Sequence, residues 1–275
     1  METIKNKIGC ALITCDRLDF FEKSSTSLYE AVKNKNIERV IVNDGKEKIK
    51  SMNLPCIQTT GKCGVSVAKN KGLEFLIKSG CEHIFLMEDD IQITNGEVFQ
   101  AYIDAYKKTG IKHFNYALHG NHNLNHFGQP NIRKTIKYYP KGVEIDLYSN
   151  VLGAFSYYHI DVLNDIGLFD EGYYNAMEHV KHTYDASVKD YTTPWRWFVD
   201  IHDSSSYLKD IVPDHQQSKI RNESDFQNTF KKGLDRFIEQ TGFSVVHGYG
   251  KPEPVISEEE CLKKLRDIWK KYHQE

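Results

Sequence analysis

Residues 82–93 read Glu-His-Ile-Phe-Leu-Met-Glu-Asp-Asp-Ile-Gln-Ile. Ile84 to Met87 is a short apolar run of the kind that fills a buried strand, and it stops abruptly at Glu88, Asp89 and Asp90. Adjacent carboxylates repel one another, and burying them unpaired is costly. A divalent cation offsets that repulsion, and oxygen ligands suit Mg2+ or Mn2+. Held at the carboxyl end of a strand, such a cation can bind a diphosphate. The plain alternative is a solvated acidic turn between a strand and a helix. The flanking sequence decides between the two.

Upstream, Ile8 to Thr14 is a second apolar run, followed by polar Cys15-Asp16-Arg17. Residues 19–33 carry apolar side chains at near-helical spacing. Arg39 to Gly45 predicts a strand ending in a turn, residues 46–53 a short helix, and Leu54 to Gln58 a third strand. Gly61-Lys-Cys-Gly64 opens a helix over 65–79, which Gly80 ends. Downstream of the acidic stretch a helix is expected near 96–108. Strand–helix alternation with short connections predicts an α/β fold, a mostly parallel sheet flanked by helices. In such sheets ligands bind beyond the carboxyl ends of the strands. Asp16, Arg17, Asp44 and the Glu88–Asp90 cluster all fall at such ends.

After residue 110 the pattern loosens. His113 to Leu118 and Val151 to Tyr158 read as strands, and Tyr138 to Leu147 as a hairpin or strand pair. Residues 160–166 and 175–189 read as helices, 190–230 as irregular, and 225–240 and 257–273 as helices. There is no internal repeat and no low-complexity linker. Net charge is −2, which supplies no overall basic balance for nucleic acid or an anionic membrane. None of the six cysteines forms a Cys-x-x-Cys pair, so buried free thiols in a reducing compartment are expected. The N-terminus lacks an apolar signal-peptide core, and no apolar run approaches the roughly 18–20 residues of a membrane span. A soluble, cytoplasmic protein is the expectation.

Six stretches together resemble the GT-A-fold, nucleotide-sugar-dependent glycosyltransferases, family 2 above all. They are Val40-Ile-Val-Asn-Asp-Gly45, Gly64-Val-Ser-Val-Ala-Lys-Asn-Lys-Gly-Leu73, Leu86-Met-Glu-Asp-Asp90, Gly153-Ala-Phe-Ser156, Ile166-Gly-Leu-Phe-Asp-Glu171 and Asn175-Ala-Met-Glu-His179. Their order and spacing follow the family over roughly residues 8–190. Thr14-Cys-Asp-Arg17 and Met87 to Ile91 are also similar to N-acetylglucosaminyltransferase I. The resemblance implies a GT-A domain over 1–275, with a nucleotide-sugar half (1–110), an acceptor half (111–224) and a C-terminal helical extension (225–275). It also implies an inverting transfer from a UDP-sugar to a hydroxyl of a glycan or polysaccharide precursor, with Mn2+ or Mg2+ as cofactor and a DXD-like motif.

The same resemblance distributes roles. Asp90 is the metal ligand, and Glu88 and Asp89 lie on the cofactor side with it. Asp44 faces the uracil. Arg17 reaches the nucleotide or its phosphates, and Lys69 faces the phosphates or supports the site from its helix. His215 is the candidate for a late metal ligand. Glu178 is the candidate base, because an acceptor hydroxyl must lose its proton to a positioned group. His179, standing where the family has Asp, is the rival candidate, since imidazoles titrate in the right range. Lys69 stands where the family has Arg, keeping the charge without the planar fork. Asp170 and Glu171 are candidates for acceptor hydroxyls, and Trp195 and Trp197 for a stacking platform. His182, four residues after Glu178, shares its helix face and could pair with it on a metal. The spacing of His119, His122 and His126 is reminiscent of zinc sites, but no cysteine pair accompanies it, and a mobile acceptor loop is the expectation. Two rivals stand beside this reading: a phage-type enzyme glycosylating a hydroxymethylated DNA base, which the absent basic balance disfavours, and a non-catalytic sugar-nucleotide-binding module.

Overall fold

A computed structural model describes residues 6–50, 54–138, 142–211 and 224–274. The chain begins β1 (Ile8–Thr14), α1 (Leu18–Val32), β2 (Ile37–Asn43), β3 (Cys56–Gln58), α2 (Val65–Lys78) and β4 (His83–Glu88). It continues β5 (Ile91–Ile93), α3 (Val98–Thr109), β6 (His113–Asn115), β7 (Lys134–Tyr138), β8 (Val143–Tyr148), β9 (Phe155–His159) and α4 (Ile160–Ile166). It closes with α5 (Glu178–Val188), β10 (Phe198–Ile201), β11 (Leu208–Asp210), α6 (Phe226–Thr241) and α7 (Glu258–Gln274).

The main sheet has the order β3-β2-β1-β4-β9-β6. β1 to β4 are parallel neighbours, and β9 runs antiparallel to both β4 and β6. The chain leaves β1 on one side, toward β2, and returns on the other through α2 into β4. The order therefore reverses between β1 and β4, and that reversal opens a crevice at their carboxyl ends. Cys15 to Arg17 and Glu88 to Asp90 flank it.

Both faces of this sheet are covered, which is why its strands read as continuous apolar runs. Cys10, Leu12, Phe85 and Met87 point into one core with Phe99 and Tyr102 of α3. Ala11, Ile13, Ile84 and Leu86 point into the other with Ala68, Leu73 and Leu76 of α2. Each large buried side chain contributes roughly 1.5–3 kcal/mol. Gly72 lets α2 approach β1 closely, because a Cβ there would lie 2.7 Å from the Ala11 methyl. A second, antiparallel sheet has the order β10-β8-β7, and β11 pairs with β5. Among the described residues no helix is long and apolar enough to cross a membrane.

Two expectations need correction. Residues 46–50 are not helical. The Lys46 and Glu47 amides donate to the Asp16 carboxylate, at 2.7 and 3.1 Å, which ties the β2 exit to the β1 exit instead. The stretch 190–230 is also not wholly irregular: it supplies β10 and β11. Residues 212–223, with His215, lie outside the described residues.

Candidate active site

The exits of β1 and β4 are bound to each other. Thr14 Oγ1 donates to Asp89 Oδ2 at 2.6 Å. The Arg17 guanidinium bridges the acids, meeting Asp89 Oδ1 through Nη2 and Asp90 Oδ2 through Nη1, the latter at 3.1 Å. Two adjacent carboxylates in one site split apart in acidity. Burial pushes Asp89 up to about 7, against Arg17. At Asp90 burial is outweighed by His119 and then Arg17, which hold that carboxyl below its ordinary range. Asp90 Oδ1 is buried with no hydrogen-bond partner among the described residues. A buried carboxylate oxygen left without a partner is costly unless a cation meets it. The donor set therefore fits a hard divalent cation. Among the described residues no three His, Cys, Asp or Glu side chains converge on one point, so such a cation would keep positions for substrate oxygens and water.

Behind these acids lies Lys69, which is only 1 % exposed. Its Nζ meets Glu88 Oε1 at 2.7 Å, Glu178 Oε1 at 3.0 Å and the Gly153 carbonyl at 3.3 Å. Burial disfavours the ammonium, but Glu88 and Glu178 outweigh it and raise the pKa well above the usual lysine value. Glu178 opens α5, directly after Met177, whose φ of 71° is left-handed. Burial would raise the Glu178 pKa, yet Lys69 and then His179 hold it well below the ordinary carboxylate range. That carboxylate only accepts, so the bond of 3.1 Å to His179 Nδ1 places the shared proton on the imidazole. In the neutral ring Nε2 is then the acceptor. Gly153 matters here, since a Cβ would lie 2.6 Å from His179 Cγ.

His179, Glu178, Asp90, Glu88 and Arg17 all line one cavity of about 430 Å3. Further wall comes from His119, Gly120, His122, Asn150 to Ala154, Asn175 to Met177, Val180, Trp195, Arg196, Phe198, α6 and Val245-Val246. A smaller pocket adjoins it through Arg17, Glu88, Val65 and Asn175, and runs over Thr14 to Asp16, Asp44, Lys62 and Tyr174. There Asp44 Oδ1 accepts from Thr59 Oγ1 at 2.5 Å and the Cys63 amide at 2.9 Å, and Oδ2 from the Gly64 amide at 3.0 Å. A carboxylate has about four lone-pair sites. Asp44 thus shapes the 59–64 loop and keeps one acceptor position. A larger, shallow groove of about 790 Å3 between α1 and β5 contains none of these strand-end residues.

No family model and no curated protein matches the sequence. Solved structures do. S. aureus TarS gives a TM-score of 0.53 at 16 % identity, covering 98 % of this chain and 49 % of that one. Its 1–349 segment gives 0.53 at 14 % identity, covering 96 % and 81 %. The fold is GT-A. The mannosyltransferase PcManGT from Pyrobaculum calidifontis, solved with GDP-Man and Mn2+, gives 0.47 at 10 % identity, covering 68 % of this chain and 53 % of that one. The chain spans about half the length of the full TarS chain and of PcManGT.

On this GT-A scaffold the remaining sequence candidates separate. Lys69 does not line the cavity: enclosed between Glu88 and Glu178, it supports the acids rather than meeting phosphates. Asp170 and Glu171 also lie outside the cavity. Asp170 clamps α6, receiving Arg236 Nε at 2.9 Å, Arg236 Nη2 at 2.8 Å and Gln240 Nε2 at 2.8 Å. Glu171 accepts from Asn70 Nδ2 at 3.1 Å. Trp197 is buried away from the cavity, with Nε1 donating to the Ile256 carbonyl and the Arg133 guanidinium 3.5 Å from its ring centre. Trp195 does line the cavity, but it is 4 % exposed and donates to Glu253, so it is wall rather than platform. His182 is buried against Phe169 and bonded to the Gly167 carbonyl, which removes it from any metal pair with Glu178. The histidine-rich loop is anchored, not loose: His119 Nδ1 lies 2.9 Å from Asp210 Oδ1, and the Gly120 amide donates to Asp210 Oδ2 at 2.7 Å. Burial would lower the His119 pKa, but Asp90 and then Asp210 raise it to about 9.

Proposed function

We propose that the protein transfers a sugar from a nucleoside diphosphate sugar, a UDP-sugar by the resemblance, to a hydroxyl of a glycan or glycan precursor. One observation carries the reading. Asp90, whose Oδ1 has no hydrogen-bond partner among the described residues, and the Glu178–His179 pair line the same cavity, which adjoins a pocket at the β1–β4 reversal. The smaller pocket takes the nucleoside, with Asp44 offering its remaining acceptor position and Tyr174 its ring. Asp90 would hold Mn2+ or Mg2+, which when bound supplies charge neutralisation of the leaving diphosphate.

The acceptor enters the larger cavity beside His179. Nε2 takes the hydroxyl proton as the oxygen attacks the anomeric carbon. The bond from that carbon to the diphosphate oxygen breaks, and the nucleoside diphosphate leaves with the bonding pair. Attack from the side opposite the leaving group inverts the centre, as in family 2. Glu178, held ionised by Lys69, is a weak proton acceptor; it fixes the ring and stabilises the imidazolium that forms. Residues 1–110 serve the donor, 111–224 complete the acceptor side, and the extension at 225–275 adds wall through Phe226 and Phe230.

Calorimetric titration of UDP, GDP and CDP, with and without Mn2+, tests the donor half. UDP is expected to bind only with metal, and Asp90→Ala to weaken it at least roughly tenfold. If no nucleoside diphosphate binds under either condition, the transferase reading fails and a non-catalytic module replaces it.

A further inference from the structure

Asp90 is one protein ligand, and its surroundings hold a second candidate. β11 pairs with β5 so that Asp210 lies opposite Ile91, and the Ile211 amide donates to the Asp90 carbonyl at 2.8 Å. Backbone pairing thus fixes Asp210 beside Asp90. Both Asp210 oxygens are used from the loop after β6: Oδ1 by His119 Nδ1 and Oδ2 by the Gly120 amide. Since the carboxylate only accepts, Nδ1 carries the proton of that bond. Nε2 is then the nitrogen free to bind a cation. His119 lines the same cavity as Asp90 and Glu88.

This is the arrangement by which proteins prepare a histidine for a metal: one ring nitrogen donates to a carboxylate, which fixes the ring and raises the basicity of the other. The geometry points to His119, through Nε2, as the second protein ligand of the divalent cation held by Asp90, with Asp210 as its positioning residue. The ligand form is the neutral ring, so cation binding displaces the Nε2 proton to solvent. Two protein ligands leave the other coordination positions to the diphosphate and water, as suits Mn2+ or Mg2+ at a phosphate. The inference rests on the transferase reading for the purpose of the cation, and on Asp210, His119 and the Asp90 oxygen that lacks a hydrogen-bond partner among the described residues for its location.

The test is electron spin echo spectroscopy of Mn2+ bound to the full chain with UDP, alongside Mn2+ affinity by titration. Wild type is expected to show the nitrogen modulation of a bound imidazole. His119→Ala and His119→Gln are expected to lose it and to bind Mn2+ at least roughly tenfold more weakly. Asp210→Asn is expected to keep the modulation while weakening the affinity by about tenfold. The pair of His119 variants guards against one that fails to fold, and thermal melting checks both. Unchanged modulation and affinity in both His119 variants overturn the assignment, as does modulation lost only in His215→Ala. Mn2+-dependent UDP binding without imidazole modulation overturns this inference and leaves the transferase reading standing. Absence of any Mn2+ or UDP binding in the wild type overturns both.

Discussion

Lys69 is a charged side chain with almost no access to water, and two carboxylates make that tolerable. Removing one partner of a buried ionic group typically costs about 3–5 kcal/mol, because the remaining charge is left uncompensated. Glu178 is 5 % exposed, so it cannot recover its hydration by small movements. Lys69→Met keeps the volume and removes the charge. It is expected to destabilise the protein by about 3–5 kcal/mol in urea unfolding, at an unchanged slope with denaturant. A loss under about 1 kcal/mol would mean that water already reaches Glu178. His179 makes the complementary case for the chemistry. His179→Asn leaves the Lys69–Glu178 pair intact, keeps an amide donor where Nδ1 meets Glu178, and removes the acceptor nitrogen. Transfer is expected to fall roughly 10²–10⁴-fold, the usual worth of a positioned base, with UDP affinity unchanged. Undiminished transfer would return the base role to Glu178.

At the scale of elements, what the sequence disclosed depended on how local the signal was. β1, β2 and β4 are apolar runs closed by polar exits, so both their existence and their polar ends could be read directly. The place of Glu178 and His179 at the start of a helix was legible from their spacing, and the structure puts both on the cavity wall. β5 and β11 are three residues each and pair with one another across more than a hundred positions, so no window of sequence contains their reason to form. The same distance hid the role of Asp170. Its local sequence is that of a turn acid near an acceptor, but Arg236 of α6, 66 residues away, takes its carboxylate. Trp197 reads locally as a stacking-platform candidate beside Trp195; the chain that covers it returns at Ile256. His119 was read as part of a loose loop because its anchor, Asp210, lies 91 residues on. The sequence therefore showed which polar residues stand at the strand ends better than it showed which side chains were already engaged.

Across the whole molecule, three buried histidines tie elements together. His83 on β4 bonds the Tyr157 hydroxyl at 2.9 Å. His113 on β6 lies 2.9 Å from both the Tyr157 carbonyl and Thr183 Oγ1 of α5. His182 on α5 lies 3.0 Å from the Gly167 carbonyl. Burial lowers all three, His83 and His182 to about 4 and His113 to about 3. The sign follows from proton counts. Below about 6.5 an unfolded histidine binds a proton that the folded one refuses, so each contributes stability above that pH and loses it as pH falls toward 4, at about 1.4 kcal/mol per pH unit. Asp200, which burial raises to about 6, runs the other way over part of that window, because its folded form keeps a proton longer. A global melt mixes the two, so the ring nitrogens themselves are the direct readout. Nitrogen-15 resonances of the three rings are expected to report neutral imidazole from pH 7.5 down to about 5. If His113 or His182 instead titrates near 6.5, water enters between β6, α4 and α5. The helix that carries Glu178 and His179 would then be held less rigidly than its packing implies, and the geometry assigned to the base would have to form only when substrate closes the site.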